Sequence, residues 1–383
     1  MRQRTIRHVV IAAGGTGGHM FPAQALAREL IGRGIAVTLV TDRRGAGFGP
    51  DLSTVATHRI SAGALSGGGL VRKMRGGLDL VLGYVQARRL LRCLNGDVVV
   101  GFGGYPSVPT VLAGRHLGLR VVLHEQNAVL GRANRLLAPR ADAIAVSFAG
   151  VAGIRPADRS KVRLTGNPVR PEIVAIGQRP YAVPGPDDPL CLLVIGGSQG
   201  ARIFNRVVPK AVTRLPTALR TRLAVCQQVR GDEIETVAEI YRVCGVRHDL
   251  RAFFADMPAR LAAANLVIGR AGASTVAELA AAGRPGLLVP YPHATDDHQS
   301  ANARSLAEAG GAWVLPQATL TPELLAERLG SFLANPSLLA RAAHCARACA
   351  HPDAAARLAD VVLARDNGDG AIDIKNGNSE AAA

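Results

Sequence analysis

Three glycine-rich runs punctuate the 383-residue chain: Gly14-Gly-Thr-Gly-Gly18, Gly103-Gly-Tyr-Pro-Ser107 and Gly196-Gly-Ser-Gln-Gly200. Between a strand and a helix, such a run lets backbone N–H groups and the positive helix end approach an anion over residues without side chains, which makes each a phosphate cradle. A plain tight turn needing positive φ explains any one of them equally well. His19 borders the first run, where a helix N-terminus favours the neutral imidazole that can accept a proton; a ring that only hydrogen-bonds the loop fits the same place. His124-Glu-Gln-Asn127 closes an apolar stretch and offers four polar side chains to sugar-like hydroxyls, while Asn127 can also simply cap the next helix. Glu278 follows Gly272-Ala-Ser-Thr275 on a helix-length segment, where a carboxylate can accept both hydroxyls of a ribose. The alternative is a solvated surface glutamate, although its neighbours Val276, Ala277, Leu279 and Ala280 are apolar.

These groups need a scaffold. Residues 7–13 read as a buried β-branched strand, followed by the glycine loop and by Pro22 opening an amphipathic helix that stops at Gly34. Similar strands are expected at 35–41, 97–101, 120–124 and 141–147, with helical patterns between them, which argues for a parallel sheet covered on both faces. Periodicity fades through a proline- and glycine-rich stretch and then restarts, with strands expected at 190–195, 223–228, 250–254, 266–269 and 286–290. The expected architecture is α/β: two Rossmann-like, doubly wound parallel-sheet domains at 1–168 and 190–345, joined by a linker at 169–189. A C-terminal helix at 346–365 is expected to return to the first domain, and the polar, glycine-rich segment 366–383 is expected to be a disordered tail. Anion-ready loops at the ends of such strands fit a pair of ligands held in a cleft between two sheets.

Composition narrows the partners. Lysine and arginine number 45 against 29 acidic residues, a formal charge of +16 that draws phosphates, nucleic acid or anionic lipid. Aromatic residues are only 4%, too few for a row of base-stacking platforms, so nucleic acid is the weaker reading. A dinucleotide-binding domain competes through Asp42 at the end of the second strand, but Met20 stands where its fingerprint requires the third glycine. The six cysteines form neither a paired zinc pattern nor a disulfide framework; Cys345 and Cys349 beside His344 are the one spacing that can share a metal, and small buried helix thiols explain it as well. No apolar stretch approaches the roughly 20 residues of a membrane span, so a cytosolic protein that meets any membrane from inside is expected. Leu70-Val-Arg-Lys-Met-Arg75, continuing through Leu78, Leu80, Val81, Leu82, Tyr84, Arg88, Arg89 and Arg92, combines apolar anchors with cations in a helical pattern. It reads either as a membrane-docking patch or as an ordinary amphipathic helix with a basic face.

The order of Gly14-Gly-Thr-Gly-Gly-His19, Gly103-Gly-Tyr-Pro-Ser107, His124-Glu-Gln-Asn127, Thr165-Gly-Asn-Pro-Val-Arg170, Gly196-Gly-Ser-Gln-Gly-Ala-Arg202 and Gly272-Ala-Ser-Thr-Val-Ala-Glu278 resembles the MurG family of glycosyltransferases over nearly the whole chain. The resemblance implies a GT-B fold and inverting transfer of GlcNAc from UDP-GlcNAc to the C4 hydroxyl of MurNAc in undecaprenyl-pyrophosphoryl-MurNAc-pentapeptide (lipid I), giving lipid II for peptidoglycan. It also implies no metal or other cofactor, no nucleic acid, a peripheral place on the cytoplasmic face of the inner membrane, and a setting shared with other cell-wall synthesis or division proteins. His19 and Glu125 are the catalytic candidates on this basis. The donor falls to Thr16, Gly17, Gly18, Asn127, Arg170, Ser198, Gln199, Phe254, Ala273, Ser274, Thr275, Glu278, His298 and Gln299, with Arg170 and Ser198 on the diphosphate, the Phe254 backbone on uracil and Gln299 on the sugar. The acceptor falls to Gly14, Gly15, Gly103, Gly104, Tyr105, His124 and Gln126, and the membrane patch to Arg72, Lys73, Arg75, Leu78 and Leu82. The chain departs from the family where two adjacent glutamines are common: it has His298-Gln299, so a ring nitrogen replaces an amide.

Overall fold

The structure is a computed structural model that describes residues 6–14, 17–43, 45, 47–63, 70–197 and 200–364. Gly15, Thr16, Ser198, Gln199 and the tail expected at 366–383 lie outside the described residues.

Two parallel sheets organise the chain. The first comprises β1 His8–Ala12, β2 Ala36–Thr41, β3 Ala56–Arg59, β4 Val98–Gly101, β5 Arg120–Glu125, β6 Ala143–Val146 and β7 Val162–Leu164, in the order β3-β2-β1-β4-β5-β6-β7. The second comprises β8 Leu190–Ile195, β9 Leu223–Gln228, β10 Arg247–Arg251, β11 Leu266–Gly269, β12 Gly286–Leu288 and β13 Ala312–Val314, in the order β10-β9-β8-β11-β12-β13. Helices α1 Gly17–Gly32, α2 Leu70–Leu94, α3 Ser107–His116 and α4 Arg132–Leu137 alternate with the first set of strands, and α5 Pro171–Gly177 stands between the two sets. With the second set come α6 Arg202–Thr213, α7 Thr217–Arg220, α8 Ile234–Val243, α9 Met257–Ala263, α10 Ala273–Ala282 and α11 His298–Glu308, followed by α12 Pro322–Leu333, α13 Pro336–Ala348 and α14 Ala354–Leu363.

The central strands are apolar on both faces because both faces are covered. Val9 and Ile11 pack with Leu26 and Leu30 of α1, whereas Val10, between them, packs with Val99, Val121 and Leu91 on the other side. α14 completes the first layer: Leu358, Ala359 and Val362 join the cluster of Val9 and Leu26, and Asp360 holds Arg33 at 2.6 Å. In each sheet the strand order reverses, between β1 and β4 and between β8 and β11. Loops leaving the C-terminal ends of those strands diverge there and open a crevice.

Two sequence expectations shift. α1 begins at Gly17 rather than Pro22, because the single bond that Pro22 removes is to the carbonyl of Gly18, a solvent-exposed residue. β10 is shifted upstream of the expected 250–254 and overlaps it at Leu250 and Arg251, because Phe254 leaves the sheet edge for the core, 3% exposed, while Phe253 stays 71% exposed. The short strands β3, β7 and β13, each at a sheet edge, have no counterpart in the sequence expectations.

Candidate active site

The first two glycine runs meet at the switch point of the first sheet. Gly103 and Gly104 have φ of 87° and 76°, so both glycines are required by conformation, and a Cβ on Gly104 would lie in van der Waals contact with Gly14 Cα at 3.4 Å. This close approach sets His19, on the first turn of α1, against Gly103, whose hypothetical Cβ would stand 3.3 Å from His19 Nε2.

A cavity of about 240 Å³ opens at that point between the two halves. His19, Gly103, Gly104, Tyr105, Glu125, Gln126 and Asn127 line it from the first half, and His298 with Thr295 and Asp296 from the second. Desolvation pulls the His19 pKa from 6.5 to about 4, and the His298 ring adds repulsion against the charged form. His19 is therefore a neutral imidazole at pH 7. His298 donates Nδ1–H to the Thr295 carbonyl at 2.7 Å, which directs the acceptor role to Nε2.

Glu125 ends β5 and is 2% exposed. Its Oε1 accepts from the Asn127 backbone N–H (3.0 Å) and from Asn127 Nδ2 (3.2 Å), and its Oε2 accepts from Gly131 N–H and Asn134 Nδ2 (both 2.8 Å). Burial raises its pKa, and these four bonds oppose the rise. A carboxylate so engaged fixes the 127–131 turn and the start of α4. Asn134 has no place in the sequence expectations. It lines the cavity with Nδ2 on Glu125 and its Oδ1 buried without a hydrogen-bond partner. Its only sequence signal is an asparagine in the first turn of a helix that follows the polar His124–Asn127 segment.

His124 does not line the cavity but lies fully buried behind its wall, against Phe102. Gln126 Nε2 donates to its Nδ1 at 2.9 Å, which places the ring proton on Nε2, facing the Gly166 carbonyl at 3.4 Å. Burial lowers its pKa to about 4. Between pH 6.5 and 4 the unfolded chain thus binds more protons at this position than the native one, so native stability falls as pH falls through that window. For His124 alone the loss is about 2 kcal/mol at pH 5. Glu125, with its raised pKa, binds protons more readily in the fold and opposes the trend. His124→Asn is expected to shrink the loss of unfolding free energy between pH 7.5 and 5.0, read by urea titration at both pH values; an unchanged loss would contradict the assignment.

Other residues expected on the donor side lie around α10. Arg170 donates Nη2–H to Glu278 Oε1 at 2.9 Å and stacks over Phe21, 5.3 Å from the ring centre. Burial raises the Glu278 pKa and Arg170 opposes this. Ala273, Ser274 and Thr275 form the first turn of α10, where the backbone donors of a ten-residue helix are unsatisfied by its own ladder and the Ser274 Oγ is buried without a partner. Phe254 packs beneath Arg260, and Gln299 accepts from Tyr291 N–H at 2.9 Å, pinning the loop before α11. Asp296 and Asp297 hold left-handed φ values of 53° and 50° in that loop, and Asp296 reaches across to Arg135 (3.4 Å) and Arg132 (3.6 Å) at the cavity rim. At that exposure these ion pairs contribute little stability. Among the described residues no three His, Cys, Asp or Glu side chains converge as a metal site requires, and the six cysteines are free thiols.

Residues 9–146 match the N-terminal domain of glycosyltransferase family 28, and residues 191–358 match its C-terminal domain. Over 371 residues the chain is 55% identical to the UDP-N-acetylglucosamine–N-acetylmuramyl-(pentapeptide) pyrophosphoryl-undecaprenol N-acetylglucosamine transferase of Rhodospirillum centenum, covering 97% of this chain and 96% of that protein. The chain belongs to glycosyltransferase family 28. This family 28 chain is also 55% identical over 357 residues to the transferase of the same description from Rhodospirillum rubrum, covering 93% and 92% of the two chains. Its fold matches the crystal structure of Acinetobacter baumannii MurG with a TM-score of 0.75 and 31% identity, over 93% of this chain and 99% of that one. Two parallel sheets facing across a cavity are the GT-B arrangement expected from the motifs.

Proposed function

We propose that this family 28 chain transfers GlcNAc from UDP-GlcNAc to the C4 hydroxyl of MurNAc in undecaprenyl-pyrophosphoryl-MurNAc-pentapeptide, forming lipid II and UDP. The observation that carries the proposal is a neutral His19 in a cavity built by both halves of a chain 55% identical to a transferase named for these substrates. In this reading His19 takes the proton of the acceptor hydroxyl as its oxygen bonds the anomeric carbon of the donor sugar. The bond from that carbon to the diphosphate oxygen breaks, its electron pair leaves with UDP, and attack from the opposite face inverts the centre. The α10 N-terminus with Ser274 and Arg170 faces the diphosphate, Glu278 takes the ribose, the Phe254 backbone reads uracil, and His298 and Gln299 hold the sugar. Gly14, Gly103, Gly104, Tyr105 and Gln126 serve the acceptor, with His124 supporting them from behind.

Labelled UDP-GlcNAc incubated with a lipid-linked muramyl acceptor is expected to give labelled lipid and one UDP per transfer. Absence of labelled lipid, or thermal protection by NAD and none by UDP-GlcNAc, would overturn the reading in favour of the dinucleotide alternative.

No helix among the described residues is long and apolar enough to cross a membrane. We propose instead that α2 docks on the cytoplasmic membrane surface from which its lipid acceptor is drawn. Met74, Leu78, Val81, Leu82 and Val85 follow helical spacing and are 62, 69, 64, 50 and 39% exposed, an apolar stripe without a covering partner among the described residues, with exposed Arg75, Arg89 and Arg92 on the same helix. The side chains of Arg72 and Lys73 lie outside the described residues. Leu78→Glu with Leu82→Glu is expected to reduce co-sedimentation with vesicles rich in anionic phospholipid at least about tenfold, since each leucine contributes about 1.5–3 kcal/mol when buried. Undiminished co-sedimentation would rule out this helix as the docking face.

A further inference from the structure

Asn302, on the second turn of α11, is 0% exposed and bridges the two halves. Its Oδ1 accepts from the backbone N–H of Ala128 at 2.8 Å, and its Nδ2 donates to Asn127 Oδ1 and to the Ala271 carbonyl, both at 3.1 Å. One amide thereby ties three pieces together: the turn after β5 in the first half, the segment leading into α10, and α11, which starts with His298 and Gln299. The relay continues inward, since Asn127 gives both its backbone N–H and its Nδ2 to Glu125. Asn127 is thus oriented from two sides, by Glu125 in its own half and by Asn302 in the other.

We infer that Asn302 is a positioning residue, resting on the transferase reading, that makes the geometry of the transfer site conditional on the docking of the two halves. Asn302 touches no reacting atom. When the halves are together, it holds the α10 lead-in and the Asn127 turn in one register, so the donor is presented to the acceptor side at a fixed offset. When the halves part, its two bonds to the Asn127 turn pass to water while the bond to Ala271 stays within the second half, and the register between the halves is released. An apolar residue in its place leaves the buried Ala271 carbonyl and the part-buried Ala128 N–H and Asn127 Oδ1 without this partner, and aspartate sets an oxygen against two acceptors.

The test compares wild type, Asn302→Ala, Asn302→Asp and Asn127→Ala, alone and combined, in the labelled-transfer assay and in UDP titrations. Expected are a fall in kcat of at least tenfold for Asn302→Ala and about thirtyfold for Asn302→Asp, the scale of one unsatisfied buried polar group. UDP affinity is expected to stay within about threefold, and adding Asn302→Ala to Asn127→Ala is expected to cost less than about threefold more. Unchanged kcat, independent losses in the double variant, or UDP affinity falling in step with kcat would each overturn the inference. So would failure of both Asn302 variants to bind UDP, which would mark a folding residue of the second half. A wild-type chain that binds UDP but labels no lipid would instead overturn the transferase reading.

Discussion

His19→Ala is expected to lower kcat for sugar transfer by about 10²–10⁴-fold, the usual contribution of a positioned general base, while UDP affinity stays within about threefold. The ring belongs to the first half, pressed against Gly103, whereas the groups proposed for the nucleotide lie around α10 in the second. Its removal leaves the phosphate and ribose contacts in place and takes away only the proton acceptor. The same assignment fixes the pH profile. With its pKa lowered to about 4, His19 loses its basic form only well below the ordinary histidine range, so kcat/KM is expected to hold as pH falls through 6.5. An acid limb near 6.5, or a His19→Ala variant that loses UDP affinity and rate together, would show that the base is another group.

How much of this was readable beforehand depends on burial. β8, β11 and β12 are interior strands of the second sheet, and their composition gives them away, because strands covered on both faces are apolar nearly throughout. β3, β7, β10 and β13 are the four sheet edges; β3, β7 and β10 are half-exposed and carry His58, Arg59, Arg163 and Asp249, so polar residues blur them, and β13 is only three residues long. The glycine runs were legible for a different reason. Left-handed φ at Gly103, Gly104, Gly197 and Gly200 favours glycine locally, and so leaves a mark in sequence whatever the loop meets in the fold. Asn134 and Asn302 left no such mark. Each acts through a contact defined by the tertiary fold, and a buried asparagine is spelled like an exposed one. His124 shows the same limit from the other side: its neighbours in sequence are polar, and only the fold shows its ring buried in the wall behind the cavity.

Glu278→Ala is expected to weaken UDP about 10–100-fold, the worth of one or two charge-assisted hydrogen bonds, with kcat at saturating donor within about threefold of wild type. The pairing with Arg170 gives this prediction its difficulty. Glu278 can contribute by holding the ribose or merely by holding Arg170 in place, and a single substitution does not separate the two. Side chains 15% and 28% exposed leave the pair partly solvated, so its rupture costs less than that of a fully buried ion pair. The separation comes from Arg170→Met. If Glu278 serves only as a tether, Glu278→Ala costs no further UDP affinity once Arg170 is gone. If it binds the ribose, the second substitution still weakens UDP, and Glu278→Gln, which keeps one acceptor oxygen, falls between wild type and alanine. A ribose contact also predicts that Glu278→Ala discriminates less between UDP and its 2′-deoxy analogue than wild type does, because the hydroxyl that the carboxylate reads is then unread in both. Equal discrimination in the two proteins would leave Glu278 as the anchor of Arg170 and move the ribose contact elsewhere.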